Sequence, residues 1–431
     1  MKVAFYTLGC KVNQYESQLL SESLEKHGYE IAQDTNDADI FVINSCTVTA
    51  ESDRKTRQAV RRFKRSNPGS VVVLTGCLPQ AFPKAAENLT EADIVLGNRS
   101  NESLLNALDN FFSCGQRQIY ILPHESGEAF GSARITGFRT RTRANIKIED
   151  GCNRFCSYCI IPYARGRVRS KPIEELRNEL EGIADAGFVE CVLVGINLSA
   201  YGTDIGKTIC DAVELACSFE QIKRVRLGSL EPDHITGEII ERLSRQEKLC
   251  PQFHISLQSG CDDTLKRMNR HYTALEYENL CSRLRKSFKD ATISTDIMVG
   301  FPGETQEEFE ASLSFVKRVG IEKVHVFPYS PREGTKAASM KPQITRAVKE
   351  ERAHQMALTA KEIRSNFLNK QVGKIVSVLI EEHSKDGDAH GYTANYTPVT
   401  ISDPGQISGL CDVLITEAND EKCIGKIIAH Q

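Results

Sequence analysis

The chain has 431 residues, is 40% hydrophobic, carries a formal charge of -3, and contains fifteen cysteines and no tryptophan. Such a length predicts two or three domains rather than one core, and the near-neutral charge excludes a uniformly basic nucleic-acid binder. No apolar run is long enough to span a bilayer, and the opening MKVAFYTLGC lacks the apolar stretch and cleavage site of a signal peptide. A cytoplasmic protein is therefore expected, with thiols that are reduced or metal-bound rather than paired in disulfides.

The first domain, expected over 1–115, alternates apolar strands at 3–7, 40–44, 71–75 and 94–96 with amphipathic helices at about 14–27 and up to residue 65, the rhythm of a parallel α/β sheet. Cys10, Cys46 and Cys77 each follow the end of one strand. In a parallel sheet those ends share the edge where ligands bind, so three thiols far apart in sequence are expected to meet. An open-sided metal cluster is one reading, and three unrelated core cysteines is the plainer one. A link over 116–142 leads to a central domain over 143–345, where strands at 145–148, 190–194, 224–227, 254–257, 293–297 and 323–327 alternate with helices. Six such units predict a partial (β/α)6 barrel, with its chemistry at the carboxyl ends of the strands.

Just after the first barrel strand, residues 151–159 read GCNRFCSYC, placing Cys152, Cys156 and Cys159 in a C-x3-C-x2-C arrangement. Three thiolates leave a fourth position open. Structural zinc is usually closed by four ligands, and no second cysteine pair or nearby histidine follows. Soft thiolates suit a 4Fe-4S cluster, whose unligated iron is free to bind a small molecule. A helical connection over 346–371 then gives way to short strands at 374–382, 392–401, 411–416 and 422–429, split by Gly, Asp and Asn turns. These predict a small antiparallel β-barrel over 372–431. The other nine cysteines lack ligand spacing and read as small buried hydrophobes, and His254 and His325 read as satisfied core histidines.

Charge is uneven along the chain. Segments 54–65, 134–143 and 165–171 are basic, whereas the residues from Val372 onward hold four Lys and no Arg against nine Asp or Glu. Arg54, Arg57, Arg61 and Arg65 recur at helical spacing and form a basic stripe that either meets RNA phosphates or is simply solvated. Arg165, Arg167 and Arg169 follow the cysteine loop and are the stronger expected phosphate contacts. The acidic terminal barrel is the weaker one, with packing or shape recognition as its expected role.

Taken together, TLGCKVNQYES from Thr7, INSCTVT from Ile43, TGCLPQ from Thr75, GCNRFCSYCIIPYARG from Gly151 and DIMVGFPGET from Asp296 resemble the radical S-adenosylmethionine (SAM) methylthiotransferases over nearly the whole chain. The KVNQYES run is similar to the branch acting on N6-threonylcarbamoyladenosine (t6A) at position 37 of tRNA. Sister branches act on isopentenyladenosine in tRNA or on an aspartate of a ribosomal protein. The resemblance implies two 4Fe-4S clusters: a radical SAM cluster on Cys152, Cys156 and Cys159, and an auxiliary cluster on Cys10, Cys46 and Cys77 that carries sulfur. It implies that Tyr158 packs on the adenine of SAM, that Asn197, Glu231 and Gln258 orient SAM, and that VGFPGE at 299–304 is a tight turn beside it. That run is no phosphate-binding loop, since it lacks the spaced Gly-Lys-Ser/Thr ending.

One SAM would then methylate sulfur and a second would yield the 5′-deoxyadenosyl radical that removes hydrogen from adenine C2. The implied partners are the tRNA anticodon loop, a reducing electron donor and a sulfur donor, with the enzyme a monomer and no membrane contact. The competing readings are a ribosomal-protein aspartate methylthiotransferase and, from another class, a zinc-stabilised RNA-binding protein without catalysis.

Overall fold

The N-terminal sheet of the computed structural model is built from six parallel strands in the order Glu30–Ile31, Lys2–Thr7, Ile40–Ser45, Val71–Gly76, Ile94–Leu96, Gln118–Tyr120. The structure describes all residues except 33–37, 132, 136–141, 386, 403–404, 406 and 431. The strands Ile40–Ser45 and Val71–Gly76 are buried at every residue, because helices cover both faces of the sheet. One face packs Val3, Val42 and Val73 under helix Leu104–Cys114, and the other packs Phe41, Ile43 and Val72 under helix Ala50–Ser66. The stretch that reads as a link from residue 116 thus supplies an edge strand at Gln118–Tyr120. Three residues are too few to show a strand's periodicity.

Six parallel strands follow in chain order: Arg143–Lys147, Glu190–Val194, Arg224–Leu227 continued as Ser229–Leu230, Gln252–Ile255, Thr292–Val299 and Lys323–Pro328. They form the partial barrel that the sequence predicts. Ala144, Ile146, Cys191 and Leu193 point outward into the core shared with the covering helices. Their alternates, Asn145, Lys147, Val192 and Val194, face the barrel interior, and the N-terminal domain uses that face: Val12 of helix Lys11–Lys26 packs on Val192 and Val194.

The long helix Arg346–Asn369 joins two cores, with Met356 in the barrel core and Leu368 in that of the last domain. That last domain is a closed five-stranded barrel of Ile375–His383, Ala389–Thr393, Pro398–Ile401, Gly409–Ala418 and Cys423–His430. A single strand expected over 392–401 is in fact two. The chain turns between them at Tyr396, which has φ +65°, and Thr393 Oγ1 accepts from the Thr397 amide at 2.9 Å. Tyr396 stacks on Tyr392 at 4.5 Å and lies under the Arg226 guanidinium at 4.7 Å. Arg224 and Arg226 donate to the carbonyls of Tyr392 and Ala394, and Glu190 balances their charge. The terminal barrel therefore docks on the amino-terminal half of the central strands, away from their carboxyl ends.

Candidate active site: two cysteine triads

The loop 151–159 is clasped at its base. Gly151 has φ +84°, and a Cβ there would lie 1.9 Å from the Arg167 carbonyl oxygen, so only glycine lets the start of the loop meet the chain that leaves helix Ile161–Arg165. The Cys152 amide closes the clasp by donating to the Gly166 carbonyl at 3.0 Å. Ser157 fixes the middle through its amide to Met268 O at 3.0 Å and its hydroxyl to Arg267 O at 2.9 Å. Burial pushes the Cys152 thiol up to about 12, and burial beside Cys156 and Cys152 pushes Cys159 higher still. Thiols this desolvated give up their protons only to a metal or a cation.

A cation is present. Arg270 Nη1 donates to Cys156 Sγ at 3.3 Å while Nη2 pairs with Glu231. Nothing in the spacing of MNRHYT marks Arg270, so the sequence alone does not find it. Glu231 is thus engaged with Arg270, and burial, outweighing that arginine, raises its pKa. Tyr158 packs against Phe301 of the 299–304 turn, their ring centroids 6.3 Å apart. Gln258 has φ +68°, held by its amide donating to Asp296 O at 2.8 Å and its carbonyl accepting from Met298 N at 2.9 Å. Asn197 is buried, and its amide donates to Glu149 Oε2 at 2.7 Å. Asn197 Oδ1 and Glu149 Oε1 are buried without a hydrogen-bond partner among the described residues. Burial raises the Glu149 pKa well above the usual carboxylate value, against the pull of the Asn197 amide and of Lys147.

Cys10, Cys46 and Cys77 reach a common edge from three strands. Gly9 has φ +114°, and a Cβ there would lie 2.8 Å from Cys46 Cβ, which shows how closely the first two loops approach. Asn13 ties them: its Oδ1 accepts from Cys10 Sγ at 3.3 Å, and its Nδ2 donates to Asn44 Oδ1 at 3.0 Å and Ser45 O at 3.2 Å. Ser45 continues the chain to the third loop, its Oγ accepting from the Leu78 amide at 3.1 Å. Burial pushes the Cys77 thiol up to about 12, against the pull of Arg165, and Cys46 and Cys10 are both close enough to raise it further.

Two of the expected phosphate contacts prove to be interior. Arg165 is 1% exposed; its Nε donates to Cys77 Sγ at 3.3 Å and its two terminal nitrogens engage Glu16. Arg169 is also buried, pairing with Asp150 at 3.4 Å and donating to the Arg165 and Arg167 carbonyls. Both side chains bind protein groups where the sequence reading put RNA. Arg167 is exposed and lies 4.6 Å from the Phe155 ring centroid, with the exposed Tyr163 packed edge-on to the same ring. On helix Ala50–Ser66, Arg54 and Arg61 are exposed but paired with Glu51 and Glu91, and Arg57 is half-buried. In the basic segment 134–143, residues 136–141 lie outside the described residues. Like Arg165, the buried Arg332 crosses from the central domain to the N-terminal one, donating to Asp53 at 2.6 Å and Thr47 at 2.7 Å.

These donor sets fit clusters better than a single ion. No group of three His, Cys, Asp or Glu side chains placed to hold one metal ion occurs among the described residues. A tetrahedral zinc needs four donors at one point, whereas a cubane spreads its irons and takes one thiolate at each. The buried Arg270 and Arg165, each against one sulfur, supply the cationic surroundings that anionic thiolates require.

A parallel-sheet domain and a partial barrel, each presenting three cysteines at its ligand edge, define an iron-sulfur enzyme of the radical SAM class. Residues 2–97 match uncharacterized protein family UPF0004, residues 146–316 the radical SAM superfamily and residues 369–428 the TRAM domain. The threonylcarbamoyladenosine tRNA methylthiotransferase MtaB of Bacillus subtilis is 37% identical over 93% of this chain and 90% of its own. That of Aquifex aeolicus is 36% identical over 96% and 100%. A tRNA-2-methylthio-N(6)-dimethylallyladenosine synthase from Fervidobacterium nodosum is 34% identical over 91% and 90%. The fold is shared with the radical SAM methyltransferase TsrM from Kitasatospora setae, solved with cobalamin and a 4Fe-4S cluster: TM-score 0.58 and 15% identity over 78% of this chain and 77% of that one. The chain belongs to the radical SAM tRNA methylthiotransferases. The cofactors of that family are SAM and two 4Fe-4S clusters. No helix among the described residues is long and apolar enough to cross a membrane.

Proposed function

We propose that the chain is the t6A-specific enzyme, converting t6A at tRNA position 37 to its 2-methylthio derivative. The observation that carries this reading is the agreement of five relatives named threonylcarbamoyladenosine tRNA methylthiotransferase, at 33–37% identity and over more than 90% of this chain, with the KVNQYES run. Enzymes named for dimethylallyladenosine match at 32–34%.

In this reading Cys152, Cys156 and Cys159 hold one cluster, and Cys10, Cys46 and Cys77 the other. When bound, the clusters and SAM supply the radical that removes the C2 hydrogen and the sulfur that replaces it. The protein's part is placement. Tyr158 and Phe301 offer an aromatic wall for adenine, Asn197 Oδ1 and the Glu149 carboxyl offer unspent polar atoms for SAM, and Gln258 and Glu231 border the same strand ends. Glu231 acts here through Arg270, to which its carboxylate is bound. Val12 of helix Lys11–Lys26 covers Val192 and Val194 on the interior face of the barrel strands and so keeps water off that patch.

For the tRNA, Arg167 with Tyr163 and Phe155 is the surface best fitted to a phosphate and a stacked base, and Arg54, Arg57 and Arg61 are secondary. The enzyme acts as a cytoplasmic monomer, with a reductant and a sulfur donor as further partners. Nucleoside mass spectrometry of tRNA from a deletion strain tests the assignment. Loss of 2-methylthio-t6A with t6A retained is expected. Loss of the 2-methylthio group from dimethylallyladenosine instead would transfer the enzyme to the other branch.

A further inference from the structure

Arg165 ends the short helix Ile161–Arg165, which begins two residues after Cys159, yet its side chain lies in the other cysteine site. From the barrel domain it donates to Cys77 Sγ at 3.3 Å and to Glu16 Oε2 at 3.0 Å, both in the N-terminal domain. It runs directly from the helix that follows one triad to a sulfur of the other.

The charges around it are unequal. Arg165, Lys147 and Arg169 face Glu16 and Asp150, with Lys147 at 2.9 Å from Glu16 and 2.6 Å from Asp150. Glu128 lies at 3.7 Å from Arg169 but is paired with Arg99 at 3.4 Å. Three cations against two close carboxylates leave positive charge in a buried site, a costly arrangement unless an anion faces it. The group that Arg165 faces is the Cys77 sulfur. Arg270 does the same at Cys156, but within its own domain and with its own glutamate.

We propose that Arg165 is a cross-domain positioning residue that sets the reduction potential of the cluster held by Cys10, Cys46 and Cys77, donating to the Cys77 sulfur from the domain that holds the radical SAM loop. The proposal rests on the reading of those cysteines as cluster ligands. A cationic donor at a ligand sulfur favours the more negative, reduced cluster and so raises its potential. Because Arg165 is joined to the 161–165 helix, it also fixes the auxiliary site relative to the loop 151–159.

The test is a redox titration of the full-length, anaerobically reconstituted protein followed by EPR, comparing wild type with Arg165→Gln and Arg165→Lys. The Cys152→Ala, Cys156→Ala, Cys159→Ala protein assigns the auxiliary signal. Arg165→Gln is expected to move the auxiliary midpoint to lower potential and to leave the barrel cluster's midpoint where it was. Arg165→Lys, which keeps the charge but not the forked geometry, is expected to fall between. Should Arg165→Gln fail to load, because buried Glu16 loses its forked partner and keeps only Lys147, the Glu16→Gln, Arg165→Gln pair carries the same measurement. An unmoved auxiliary midpoint with both clusters loaded, or equal shifts in both clusters, would overturn the role. Iron for only one cluster in the wild type would instead remove the auxiliary-cluster reading, and the proposal with it.

Discussion

The two cysteine sites lie at equivalent places, the carboxyl ends of parallel strands, and are assembled in opposite ways. In the barrel, Cys152, Cys156 and Cys159 come from one loop clasped at Gly151, so their spacing is a property of nine consecutive residues. In the N-terminal sheet, Cys10, Cys46 and Cys77 come from three crossovers, and their spacing depends on the register of three strands and on the Asn13 and Ser45 bonds between loops. Each site has a buried arginine against one sulfur and a glutamate against the arginine. At the barrel both come from the same domain, whereas at the sheet the arginine is supplied from outside. The N-terminal site should therefore be the one whose integrity depends on docking between domains.

The largest effects separate the sites outright. Replacing Cys152, Cys156 and Cys159 by Ala should abolish reductive SAM cleavage, read as 5′-deoxyadenosine. Replacing Cys10, Cys46 and Cys77 should halve the iron and abolish the methylthio product while cleavage continues. Loss of cleavage in the second protein, with its barrel cluster spectroscopically intact, would break the division of labour.

The docking argument is sharpened by the two buried arginines that do not share a site. Arg332→Met leaves Asp53 unpaired across the domain boundary, and Arg270→Met leaves Glu231 unpaired within the barrel; each should cost about 3–5 kcal/mol in denaturant unfolding. Their cluster losses should differ. Arg332→Met is expected to lower occupancy of the N-terminal site alone, and Arg270→Met that of the barrel alone, as read by iron content and EPR. Equal losses at both sites in either variant would show that the domains do not load independently.

The two glutamates respond oppositely to acid. Burial raises the Glu16 pKa, but Arg165 and Lys147 outweigh it and hold the carboxyl below its usual value, whereas burial wins at Glu231 and raises it. A depressed carboxyl stabilises the fold above its unfolded pKa and loses that contribution as pH falls through the folded one. A raised carboxyl opposes folding as pH rises through the unfolded value toward the folded one. Melting of cluster-free protein should therefore lose stability below the ordinary glutamate pKa, by at most about 1.4 kcal/mol per pH unit for this one group. Glu16→Gln should flatten that loss, and Glu231→Gln should not. A wild-type acid slope retained in Glu16→Gln would assign it to other carboxylates.

The smallest effect concerns RNA. Arg167→Ala should weaken tRNA binding a few-fold and lower the slope of log affinity against log salt by about 0.7, the value for one phosphate contact on a single strand. A slope unchanged in Arg167→Ala but lowered by Arg54→Ala would move the phosphate surface to helix Ala50–Ser66.

The sequence by itself determined the alternation of elements that makes a parallel sheet, a six-strand partial barrel and a terminal β-barrel, because hydrophobic period and turn residues are local quantities. It also determined the cysteine loop at 151–159, a contiguous motif, and placed Cys10, Cys46 and Cys77 at strand ends that a parallel sheet must align. The short strands Glu30–Ile31 and Gln118–Tyr120 carry too few residues for any period, and the turn at Tyr396 lies inside an otherwise strand-like run. Only the tertiary structure decided the fate of the arginines. Arg165, Arg167 and Arg169 look alike in sequence, but the end of helix Ile161–Arg165 and the short strand Arg169–Ser170 turn two inward, while Arg167 between them stays on the surface. A guanidinium's role is set by which anion it meets, and for Arg165 those anions, Glu16 and the Cys77 sulfur, stand 149 and 88 residues away. Arg270 and Arg332 went unmarked for the same reason, since a partner brought near by folding leaves no spacing in the chain.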